Sequence, residues 1–97
     1  MYTATMTYNF RPGSFEEGCK VWEEEVFNLA KEQPGFIRMQ LLVKPPQALA
    51  MGTWSSNSYA RKFMETGVFK RLMARLETMV VSRPEQTIWD LKLFAEK

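Results

Sequence analysis

Four residues, Lys44-Pro45-Pro46-Gln47, separate two apolar runs, Phe36 to Val43 and Ala48 to Trp54. So short a link can join only antiparallel neighbours, because a parallel pair needs a crossover of a dozen or more residues. The two runs are therefore read as a hairpin on which the rest of the chain must pack. In the first run Ile37, Met39, Leu41 and Val43 alternate to give a wholly apolar face, whereas Phe36, Arg38, Gln40 and Leu42 are mixed. Pro34-Gly35 just ahead of it stops whatever precedes, since proline disfavours helical geometry in the residue before it and glycine tolerates turns.

What precedes is a strand and a helix. Tyr2, Ala4, Met6, Tyr8 and Phe10 alternate with Thr3, Thr5, Thr7 and Asn9, a period of two rich in threonine and aromatics. Ser14 with Glu17 three residues on has the spacing of a capping box, and predicts a helix from about Phe15 to Gln33. Phe15, Cys19, Trp22, Val26, Leu29 and Ala30 form its apolar stripe. Beyond the hairpin, Ser55 or Ser56 caps a helix over about 57–65 with Tyr59, Ala60, Phe63 and Met64 on one face. Thr66-Gly67 breaks it, and Phe69, Leu72, Met73, Leu76, Met79 and Val80 mark a further helix over 68–80. A last alternating strand is expected from Gln86 to Phe94.

The order is βαββαβ. Two right-handed crossovers then give an α+β ferredoxin-like fold, a four-stranded antiparallel sheet with helices on one face, the first and third strands central and the others at the edges. Ninety-seven residues suit one domain spanning 1–97. The uncovered face would show Ile88 or Trp89, and exposed strand edges invite pairing, so a homodimer meeting sheet to sheet is expected.

Composition narrows function by exclusion. With 45% hydrophobic and 25% charged residues the chain is globular, and no apolar run approaches the roughly 20 residues of a spanning helix. No membrane association is expected. The start MYTATMTYNF lacks the features of a signal peptide and there is one cysteine, Cys19, so a cytoplasmic location is expected. A net charge of +2 spread over scattered basic residues is no nucleic-acid stripe, and ALAMGTW in the third strand lacks the glycine-aromatic motif of RNA-recognition domains. The chain contains 0 histidines, which removes the side chain best suited to proton transfer near neutral pH and the commonest zinc or haem ligand.

The run PGFIRMQLLV, a third strand ending in Trp54, the step SSNSYARKFMETGVFKRL and the closing aromatic strand together resemble the antibiotic biosynthesis monooxygenase domain, over nearly the whole chain. The resemblance implies a dimeric α/β barrel with a pocket between helices and sheet in each subunit. It implies either oxygenation of an aromatic or quinol-like molecule without metal or flavin, hence no cofactor, or a non-catalytic small-ligand-binding dimer. A related branch degrades haem. Aligned on Trp54 and Val68-Phe69, its axial histidine falls at Met73 and its pocket tryptophan at Phe63, so haem degradation is not expected.

Cofactor-free oxygenation asks for a pocket that holds a phenol-like substrate, stabilises its anion and excludes bulk water. The resemblance points to Asn9 and Trp54 as catalytic candidates and to Tyr59, Phe63, Arg38 and Met73 as substrate-binding ones, around a small hydrophobic or aromatic ligand. Five of the six have a plain structural alternative: Trp54 and Met73 as core, Asn9 as a turn-capping residue, Tyr59 as an interfacial residue, Arg38 as a salt-bridge partner.

Overall fold

The Pro-Pro link closes the hairpin that its length demands. In the computed structural model, which describes residues 1–97, Phe36–Lys44 (β2) pairs antiparallel with Gln47–Trp54 (β3), Lys44 opposite Gln47. β3 pairs with Tyr2–Asn9 (β1), and β1 with Glu85–Asp90 (β4), giving an antiparallel sheet ordered β2-β3-β1-β4. The fold is the expected ferredoxin-like one, with β1 and β3 central. The sheet is open, not a closed barrel, because β2 and β4 each lack a second neighbour.

Phe15–Trp22 (α1) is followed by a π-helical turn, Glu23–Phe27, and by Asn28–Ala30 (α2). Trp22, Val26 and Ala30 are all buried at a strict spacing of four. In a 3.6-residue helix such positions drift by about 40° per step, and the wider π turn takes up that drift. The second crossover runs through Asn57–Met64 (α3) and Val68–Leu76 (α4). Between them Gly67 takes a φ of 82° that only glycine adopts freely, and the Thr66 hydroxyl donates to the Phe63 carbonyl at 2.6 Å. The end of β1 is tied to the segment after α4, as the Arg11 N–H donates to Met79 and the Val81 N–H to Asn9, each at 2.8 Å.

Four expectations are corrected. First, neither serine caps a helix with its side chain: Ser14 lies in a 3-10 turn over Pro12–Ser14, and the Ser56 hydroxyl meets that of Ser58 at 2.9 Å. Second, the helical segments end at Ala30, Met64 and Leu76, short of the expected limits, because turns close each one. Third, the β2 register slips between Phe36 and Arg38. One extra residue there makes a bulge, so Phe36 joins Met39 and Leu41 against the core while Ile37 is left 40% exposed.

Fourth, β4 stops at Asp90 rather than Phe94. Residues 91–97 leave the edge and reach β2 across the face without helices. There the Arg38 guanidinium lies 4.4 Å above the Phe94 ring and ion-pairs with Glu96. Beneath this crossing the Thr3 and Thr53 hydroxyls meet at 3.1 Å in a buried pair.

Candidate active site between helices and sheet

The apolar side chains that fold the chain leave a gap at the centre of the layer. Tyr8, Phe10, Trp54, Phe63, Leu72 and Leu76 fill the space between helices and sheet. Along β3, however, the residues facing the helices are Ala48, Ala50 and Gly52 before Trp54, small groups that cannot reach the roof. A cavity of about 40 Å³ remains above Ala50 and Gly52. Ala4, Met6, Met39 and Trp54 wall it from the sheet; Trp22, Val26, Phe63, Met64 and Phe69 wall it from the helices. Gln86 of β4, exposed to solvent, marks its mouth.

An aromatic row forms one side. The Trp54 ring lies 5.1 Å from Phe63 and 5.7 Å from Phe36, and Phe63 lies 6.2 Å from Phe69. Among the 3 indoles, that of Trp89 donates to the Thr5 hydroxyl at 2.9 Å, whereas no atom of the chain accepts the Trp54 N–H. Trp54 Nε1 lies 3.6 Å from where a Cβ on Gly52 would stand, so the bare glycine keeps the space beside the indole open. Apart from the Trp54 and Trp22 indoles, the Gln86 amide and Thr5, the lining is apolar, and it holds no ionisable side chain. The site can bind, orient and desolvate, with N–H donors for a developing anion, but no side chain there can take a proton. No three of the chain's Cys, Asp and Glu side chains cluster to hold a metal ion.

Two of the six residues singled out in the sequence, Trp54 and Phe63, meet in this cavity. Asn9 lies on the opposite sheet face, as an odd-numbered residue of β1 must. Its side chain accepts from Gln47 at 2.9 Å and donates to Ser82 at 3.3 Å. Arg38 also points to that face, held by Phe94 and Glu96. Tyr59 flanks α3 on the outside, its ring pressed on Gly35, where a Cβ would fall 2.2 Å from the ring. Met73 lines a shallow surface hollow with Val80, Val81 and Arg83. The haem alignment therefore has no axial group at the cavity at all.

Trp22, Gly52 and Tyr8 carry no functional motif in the sequence. Gly52 carried a signal: small residues at alternate positions of a central strand leave room under bulky helical side chains. Tyr8 is 1% exposed, with its ring stacked on Phe10 at 5.8 Å and its hydroxyl without a hydrogen bond. Burial pushes its phenol well above the ordinary tyrosine range; the Trp22 indole, beside the hydroxyl without meeting hydrogen-bond geometry, pulls the other way. Burial, and then the charge of Glu16, likewise push the Cys19 thiol up, so it is no poised nucleophile.

No family model matches the chain, and no curated protein does. Solved structures do. SnoaB, a cofactor-independent oxygenase from Streptomyces nogalater, superposes with a TM-score of 0.82 at 17% identity, covering 99% of this chain and 97% of that chain. The monooxygenase ActVA-Orf6 of Streptomyces coelicolor, solved in complex with nanaomycin D, gives 0.80 at 14% identity over 99% and 91% of the two chains. Rv0793 from Mycobacterium tuberculosis gives 0.84 at 8% identity over 98% of each. Identities this low establish architecture rather than chemistry. The chain has the fold of the antibiotic biosynthesis monooxygenase structures, along its whole length and around a cavity in the layer between helices and sheet.

Proposed function

We propose that the chain is a cofactor-independent monooxygenase of an aromatic or quinol-like small molecule, acting as a homodimer. The observation that carries the reading is the unaccepted Trp54 N–H at a mostly apolar cavity without ionisable side chains, on a fold shared with two oxygenase structures. A donor in a dry site favours a substrate oxygen that gains negative charge. Since no lining side chain takes a proton, the substrate must be acidic enough to lose its own. It must also supply its own electrons: a ring CH₂ becomes a carbonyl by taking one atom of O₂, and the other leaves as water with both hydrogens. The cavity at rest, about 40 Å³, is far below the roughly 300–1,000 Å³ of small-molecule sites. A ring must therefore displace flexible walls, for which Met39, Met64 and Met6 are suited.

The lack of a base favours a second reading, a non-catalytic ligand-binding dimer with the same site. Oxygen uptake with hydroquinones and anthrones separates the two. Turnover that Gly52→Ala reduces at least tenfold supports the oxygenase, because the added methyl, 2.9 Å from Met39 Cε, fills the cavity. Saturable binding with no oxygen consumed by any of these compounds supports the binding dimer.

The homodimer rests on the helix-free face, where Leu42, Trp89 and Leu93 are exposed. Two copies meeting there would cover both faces and close a barrel from two open sheets. Light scattering at micromolar concentration is expected to give twice the mass of the 11.4 kDa chain, and a monomeric mass would end this proposal.

A further inference from the structure

We propose that Trp22 is a movable wall between the cavity and a neighbouring groove, and that swinging it aside presents the Tyr8 hydroxyl to an aromatic ligand bearing a carbonyl or hydroxyl oxygen. The inference rests on the ligand site proposed above and adds to it an entrance and a polar anchor.

Trp22 lines both spaces. One is the cavity of about 40 Å³; the other is a groove of about 280 Å³ formed with Cys19, Glu23, Phe27 and Leu41. Joined, they reach the lower end of the size range of small-molecule sites, which neither attains alone. The backbone just after Trp22 enters the π turn, so the wall stands where the helix has already left regular geometry.

Tyr8 supplies the reason for a particular ligand. Its hydroxyl is the only buried side-chain polar atom of the chain without a partner, a state that disfavours the closed form. The indole of Trp22 is the polar group beside it. Moving that indole exposes the hydroxyl to the joined space, and a ligand oxygen accepting from it removes the deficit. Burial keeps the phenol protonated, so it acts as a donor.

The test uses 1-tetralone and tetralin, two rings of the same size with and without a carbonyl, titrated calorimetrically into the full chain. Tyr8→Phe is expected to weaken 1-tetralone about tenfold, the scale of one hydrogen bond, to leave tetralin unchanged and to raise the melting temperature. In the wild-type chain, saturating 1-tetralone is expected to slow modification of Cys19 by a disulfide reagent several-fold, because the ligand fills the groove that the thiol lines. Equal 1-tetralone affinity in the wild type and Tyr8→Phe, or equal weakening of both compounds, overturns the role of Tyr8. An unchanged Cys19 rate at saturation overturns the movable wall. Failure of the wild type to bind either compound overturns the ligand site itself, and this inference with it.

Discussion

On the helix-covered face of the sheet Tyr8, Ala48 and Trp54 are 1%, 2% and 2% exposed, whereas on the opposite face Trp89 and Leu42 keep 54% and 47%. The same strands build both faces, because successive side chains point to opposite sides. Phe10, Val21, Val26, Leu72 and Leu76 pack the centre of the first face with apolar side chains. On the second, threonines alternate with large apolar groups, and residues 91–97 roof only the end near Thr3 and Thr53. One face holds the fold together and the other stays largely open to solvent.

The comparison breaks most readily at Trp54. Truncation to Ala is expected to lower stability by about 3–5 kcal/mol in urea unfolding, while Leu42→Ala on the other face changes it by less than about 0.5 kcal/mol. Comparable losses would mean that the open face carries core energy within the single chain.

Next comes the fit of helix to sheet. A Cβ on Gly18 would stand 2.3 Å from the Phe10 ring, whereas one on Gly13 would meet nothing within 4 Å. Gly18→Ala should therefore cost about 1–3 kcal/mol and Gly13→Ala none. A neutral Gly18→Ala would show that α1 can lift off the sheet without loss. The smallest effect on stability, and the sharpest on assembly, belongs to Leu42→Lys. For the proposed dimer, light scattering should fall to the monomer mass, with the unfolding midpoint lowered only by what association contributed. An unchanged mass would move the interface elsewhere.

The architecture was legible in the sequence because it depends on local signals. A four-residue link, two alternating runs and a break at Thr66-Gly67 are properties of neighbouring residues, and they fixed the element order and the central strands. What depended on pairing was not legible. The bulge at Ile37 is set by register against β3, so strict alternation assigned the wrong residues of β2 to the core up to Arg38. β4 ends at Asp90 because the segment after it finds Arg38, a partner far away in sequence.

The cavity was hidden for a different reason. Asn9, Arg38 and Tyr59 carry the groups that chemistry would use, yet they lie elsewhere. A void is made by missing atoms: Gly52 and Ala50 show it only once Trp22 and Phe63 are set at their heights above the sheet. Trp54 was legible because it serves twice, as a buried ring of the core and as an unaccepted donor at the cavity.

The cavity's empty proton inventory has a consequence for any pH profile. None of its lining groups titrates between acid and alkali. Across the range in which the fold persists, binding in the cavity then follows the ionisation of whatever is bound. A series of ligands of graded acidity should trace a family of curves, each displaced by its own ligand's pKa, with the protein as the constant background.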